Sequence, residues 1–91
     1  MYKILHIPTG EYIRPILTET PKDSVCYVTL THNSYNFMCL KTMEEAINVL
    51  NNGYCNLYGS EYYIKICKNE FEIIEISDKE IEYLRDIGRV I

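Results

Sequence analysis

The sequence lacks long apolar stretches. No run approaches the roughly 18–20 residues that a bilayer-crossing helix requires, so no membrane span is expected. Lys3, His6 and Glu11 interrupt the start, which leaves no room for the apolar segment of a secretory signal and points to a cytoplasmic, reducing setting. No C-x-x-C pair occurs, so the local chelate halves of a zinc knuckle are missing. Neither G-x-S-x-G nor G-x-x-x-x-G-K-S/T occurs, which removes the nucleophile elbow and the phosphate-cradling loop. No basic stripe is visible that would displace counterions from a phosphate backbone, so direct nucleic-acid binding is not expected. Alanine is nearly missing as well, with Ala46 the single example.

What is present describes one packed unit. Ninety-one residues bound the chain to a single domain, 1–91. A hydrophobic share of 47% and an aromatic share of 12% supply a core and argue against disorder. Thirteen acids against nine bases give a net charge of −4. Residues 1–60 hold four bases and five acids, and residues 61–91 hold five bases and eight acids, so the acidity gathers late in the chain. It is too thin for a DNA mimic. Isoleucine (13), tyrosine (9), asparagine (7) and lysine (6) share AT-rich codons, which suggests an AT-rich source such as a Firmicute, a mobile element or a virulent phage. The four cysteines are Cys26, Cys39, Cys55 and Cys67. Cys26, Cys39 and Cys67 sit inside apolar, strand-like runs, where buried free thiols are expected.

The pattern along the chain predicts an α+β fold. Tyr2 to Ile7 and Tyr12 to Leu17 read as a hairpin around the turn Pro8-Thr9-Gly10-Glu11, with Pro15 requiring an edge or an end. Thr18 to Ser24 is a loop. Val25 to Leu30 and Tyr35 to Leu40 form a second pair of strands. Thr42 and Glu45 make a capping box, and Met43, Ala46, Ile47 and Leu50 give the following helix one apolar stripe. Asn51-Asn52-Gly53 ends it through a left-handed cap. After a connector, Tyr62 to Cys67 and Phe71 to Ile76 read as a hairpin about Lys68-Asn69-Glu70. The adjacent Ile73 and Ile74 imply either burial on both faces or a bulge. Ser77 and Glu80 cap a second helix that Gly88 stops, and residues 89–91 are too short to classify. The expected architecture is a mainly antiparallel sheet built of hairpins, with two short helices on one face, in the order ββ-ββ-α-ββ-α.

Few residues carry chemistry in this pattern. His6 lies in a strand and His32 in a turn, and both read as packing or surface residues rather than catalysts. Glu70, Glu72 and Glu75, followed by Glu80 and Glu82, read as a solvated face, because general acid–base work needs a carboxyl in a dry cleft. No catalytic residue, metal ligand or cofactor is assigned, and the chain is not expected to be an enzyme. Tyrosine stands out: Tyr54, Tyr58, Tyr62 and Tyr63 fall within ten residues. Tyrosine brings contact area, little rotamer entropy and a hydrogen-bonding tip, and it is enriched in binding hot spots. Three readings stay open: one or two of these rings are core and the rest codon bias, the cluster is a protein or subunit interface, or it stacks on a nucleotide. Alternation puts Tyr63 and Lys65 on one face and Tyr62 and Ile64 on the other. Tyr54, Tyr58, Tyr63 and Lys65 are therefore the candidate partner- or ligand-binding residues.

The opening, Met1-Tyr2-Lys3-Ile4-Leu5-His6-Ile7-Pro8-Thr9-Gly10-Glu11-Tyr12, resembles small accessory proteins of tailed phages. In those proteins a similar initial hairpin is followed by a segment like Phe37-Met38-Cys39-Leu40-Lys41-Thr42-Met43-Glu44-Glu45-Ala46 and a short acidic end. The likeness covers half the chain and rests on hairpin and cap patterns. It implies products that bind host proteins or neutralise host defences, acting in the host cytoplasm, and it carries no catalytic residues. The expectation is thus a non-catalytic interaction protein, a phage-encoded inhibitor that occludes a host or defence-system protein. The alternative is a homo-oligomer that binds or sequesters a nucleotide signal at a site between subunits. Exposed edge strands make a homodimer plausible under either reading.

Overall fold

The computed structural model describes residues 1–15, 26–32, 37–57 and 62–88. Along them run β1 (Tyr2–His6), β2 (Glu11–Pro15), β3 (Cys26–Thr31), α1 (Met43–Asn52), β4 (Gly53–Cys55), β5 (Ile64–Lys65), β6 (Phe71–Glu75) and α2 (Asp78–Asp86). The six strands form one sheet in the order β5-β4-β3-β2-β1-β6. The fold is α+β. Its sheet is mixed, because β4 runs parallel to β3 while the other pairings are antiparallel.

The first hairpin forms as expected. Gly10 has φ +72°, and its N–H donates to the His6 carbonyl (2.9 Å), which turns β1 into β2. The expected strand over 35–40 is only partly realised, and residues 35–36 lie outside the described ones. Its remainder is wedged into the sheet. Leu40 and Tyr2 exchange two backbone bonds of 2.7 and 2.9 Å, and the Met38 N–H donates to Ile13 (2.7 Å). The segment thus fills the gap where the start of β1 and the end of β2 diverge.

Two departures from the sequence reading reshape the topology. The connector after α1 contains a strand, β4, which lies beside β3 with Tyr27 opposite Tyr54. The hairpin expected between 62–67 and 71–76 does not form. Lys68–Glu70 is instead a 3-10 turn, and β5 and β6 end up at opposite edges of the sheet. The strand over 62–67 shortens to Ile64–Lys65. Turn chemistry is local, but β6 gains more from β1, against which five consecutive pairs form from Tyr2↔Glu75 to His6↔Phe71. That unbroken register also settles the Ile73–Ile74 doublet: there is no bulge, and the strand is half-buried on both faces.

Alternation sorts the side chains. Ile4, Ile13, Val28, Cys55 and Phe71 point to one face and pack with Ala46 and Val49 of α1. On the other face Tyr12 joins Phe37, Ile76, Ile81 and Leu84, the last two from α2. The helices therefore cover opposite faces, which corrects the expectation that both lie on one. The doublet explains it: the register puts Ile73 on the α1 side and Ile74, and after it Ile76, on the α2 side.

The connection from β5 to β6 also bends the sheet. Six Cα steps separate Lys65 from Phe71, about 21 Å at full extension. Five strand spacings would need about 24 Å if flat. The sheet must curl, and the buried Ile66 of this connection packs into the α1-side core, so the concave side faces α1.

Both N-caps are present with altered reciprocal halves. Thr42 Oγ1 accepts from the Glu45 N–H (3.1 Å), while the Glu45 carboxylate accepts from the N–H of Lys41 (3.0 Å). Ser77 Oγ accepts from the Glu80 N–H (3.3 Å), but the Glu80 carboxylate leaves the cap and binds Lys3 Nζ (3.1 Å). At the other end of α1, Gly53 is extended (φ −85°), not left-handed as expected. Glycine is needed there for space: a Cβ would overlap the Val49 carbonyl oxygen and reach 2.7 Å from Ile66 Cδ1. Gly88 does adopt the left-handed conformation, with φ +81° just after α2.

Candidate functional site: a tyrosine-bearing sheet face

On the face that carries α2, the helix covers the β1–β2 side, and the β3-β4-β5 side bears an exposed aromatic group. In β3 the residues Val28 and Leu30 face the core, so Tyr27 and Thr29 face out. The parallel register sets Tyr54 beside Tyr27, and the antiparallel register sets Lys65 beside Tyr54. Tyr63 precedes Lys65 by two positions and shares its face. The ring centroids of Tyr27 and Tyr54 are 5.7 Å apart and nearly parallel (28°). Tyr63 meets Tyr27 edge-on at 5.3 Å and 83°. Offset-stacked and edge-to-face pairs are the favoured geometries of aromatic quadrupoles. Tyr27 thus holds the other two rings in place, yet it remains 46% exposed and Tyr63 40%. One row away, exposed Arg14 stands opposite Thr29 on the same face.

Of the residues read from the sequence, Tyr54, Tyr63 and Lys65 are brought together here. Tyr58 lies outside the described residues. Tyr62, just before β5, is 78% exposed, and Ile64 is exposed as well. Tyr27, the ring at the centre of the group, was missed. Its signal was available, since the alternation of Val28 and Leu30 with Tyr27 and Thr29 marks it as outward-facing.

The other candidates for chemistry are accounted for by structure. His6 is fully buried, its ring 4.8 Å from that of Phe71. Its Nδ1 is 2.8 Å from Thr9 Oγ1, and that hydroxyl accepts from the Glu11 N–H (3.3 Å), so the histidine braces the first turn. Its Nε2 lies 3.6 Å from Glu70 Oε2. His32 is exposed and 2.9 Å from Glu11 Oε1. Glu72 and Glu75 are exposed. Among the described residues no group of three or more His, Cys, Asp or Glu is placed to hold a metal ion. No helix among them is long and apolar enough to cross a membrane.

The thiols differ from expectation. Cys67 is exposed, because the strand expected around it stops at Lys65. Cys55, which the sequence placed in a connector, is buried, since β4 points it into the core. Cys39 is intermediate, and the expectation for the Cys26 thiol falls outside the described side chains. Burial, and after it the Glu11 carboxylate, push the Cys55 thiol up from 9.0 to about 12.

No family model matches this chain, and neither a curated protein nor a solved structure does.

Proposed function

We propose that this chain is a non-catalytic interaction protein that covers a working surface of a protein partner with the Tyr27–Tyr54–Tyr63 face. The observation that supports this reading is the ring cluster itself. Tyr27, packed against both Tyr54 and Tyr63, centres a half-exposed aromatic surface with Lys65 and Arg14 beside it. Rings already held in place lose little entropy on docking, and such residues dominate interface energetics. A contact of about 800 Å² per partner suits a domain of this size. The resemblance of the opening segment to phage accessory proteins extends the proposal: the partner is a host or defence-system protein, and the effect is inhibition by occlusion. Capture from host lysate, followed by titration of the purified partner, tests it. Tyr27→Ala is expected to weaken binding about 30-fold, corresponding to ~2 kcal/mol. No enriched protein at micromolar concentration, or a partner indifferent to Tyr27, sinks the reading.

A second reading rests on Lys65 standing in register beside Tyr54, a cationic residue next to an aromatic one, which suits a nucleotide. A nucleotide that raises the melting temperature of the wild type but not of a Tyr54→Ala variant would favour it.

A further inference from the structure

We infer that two copies of this chain pair through β5, edge to edge and antiparallel, about a twofold axis at Ile64. Among the described residues the strand ends the sheet and is bonded on one side only, to β4. The phase of that bonding fixes what faces outward. The Ile66 N–H donates to the Gly53 carbonyl (3.0 Å), so Ile66 and Ile64 direct their backbone groups toward β4. The N–H and C=O groups of Lys65, and of Tyr63 by continuation, then point away from the sheet. An added antiparallel strand finds two residues with donors and acceptors, spaced as a ladder needs.

The side chains favour a second copy as the occupant. A twofold interface must be complementary to itself, residue by residue. With the axis at Ile64, Tyr63 of each copy lies opposite Lys65 of the other, twice, which pairs a cation with an aromatic ring. Ile64 meets its own equivalent at a pair without backbone bonds, where side chains approach closest. Ile64 is 53% exposed and gains an apolar contact on the side of the sheet opposite the tyrosines. Moving the axis one residue along, to Lys65, would set like charges against each other. The other edge is less suited: β6 carries exposed Glu72 and Glu75, and its Phe71 and Ile73 are committed to the core. Pairing at β5 also joins the two tyrosine faces into one continuous surface. The inference stands on the edge geometry and does not depend on the proposed partner.

The test is the mass in solution across a concentration series, by light scattering. The wild type is expected to approach twice the monomer mass. Ile64→Lys sets two cations at the axis and is expected to return the mass to that of a monomer with an unchanged circular dichroism spectrum. In a Cys67→Ser background, Ile64→Cys is expected to form an intermolecular disulfide at position 64, located by peptide mass mapping, whereas Lys65→Cys is not. This cross-link decides the register even where Ile64→Lys fails to fold. A wild type that stays monomeric at every concentration, a dimer untouched by Ile64→Lys, or a bridge at position 65 in preference to 64 would overturn the inference.

Discussion

Lys3 Nζ lies 3.1 Å from Glu80 Oε1 and, at the same time, 4.6 Å from the ring centroid of Tyr12 and 5.1 Å from that of Phe37. One ammonium thereby ties the first strand to the second helix and sits over two rings of the α2-side core. Its side chain is 12% exposed and that of Glu80 31%, so the pair is screened less than a surface pair. Removing the lysine leaves a carboxylate with a vacated partner; removing the carboxylate leaves a cation still held by aromatic faces. Lys3→Ala is accordingly expected to cost about 2–3 kcal/mol and Glu80→Gln about 1 kcal/mol. Urea denaturation of both variants and of the double variant measures the coupling, and equal single costs would contradict this account.

Gly53 is expected to resist substitution for reasons of space alone. Its φ is open to any residue, yet a Cβ would meet a backbone carbonyl that has little freedom to move. Gly53→Ala is predicted to destabilise by about 2–3 kcal/mol through overpacking. Gly10→Ala, where nothing lies within 4 Å but φ is positive, is predicted to cost about 1 kcal/mol from the backbone conformation. Reversal of that order in denaturant midpoints would show that helix and strand part more readily than the packing implies.

The Cys55 thiol gives a pH dependence of definite sign. Its pKa is raised on folding, from 9.0 to about 12, so between these values the native state holds a proton that the unfolded chain has released. Stability is then unaffected by this group below about pH 9 and falls above it, by up to about 1.4 kcal/mol per pH unit. Cys55→Ala is expected to lose that component of the slope. In native labelling with iodoacetamide, Cys67 should react and Cys55 should stay unmodified until the chain unfolds. Early labelling of Cys55 would be inconsistent with its burial.

Tyr27→Ala should separate binding from folding. Its ring is nearly half exposed and its main contacts are Tyr54 and Tyr63, so the predicted loss of stability is no more than about 1.5 kcal/mol. Thermal unfolding beside partner titration tests this. A variant that unfolds outright would mark the ring as a structural one.

Elements governed by near neighbours were legible in the sequence. Thr42 and Ser77 cap their helices because capping depends on residues three positions apart, and Gly10 turns the first hairpin for an equally local reason. Strand partners were not legible, because pairing is decided by surfaces far apart in sequence. Lys68-Asn69-Glu70 has the composition of a hairpin turn, yet β6 finds its partner in β1, 65 positions away at His6↔Phe71 and 73 at Tyr2↔Glu75, where both of its faces can be half-buried. The same holds for the candidate site. Tyr54, Tyr63 and Lys65 were legible as a local cluster, whereas Tyr27 joins them only through the parallel β3–β4 contact.

The pairing of β1 with β6 has a bearing on how the chain is made. β1 leaves the ribosome well before the strand it pairs with, since His6 and Phe71 are 65 positions apart. Closure therefore waits for the synthesis of β6, and the exposed flank of β1 must be kept from other partners until then. A nascent chain halted before Phe71 would present that flank to the ribosome exit and its chaperones, and folding dominated by such distant contacts belongs to the slower, millisecond-to-second range.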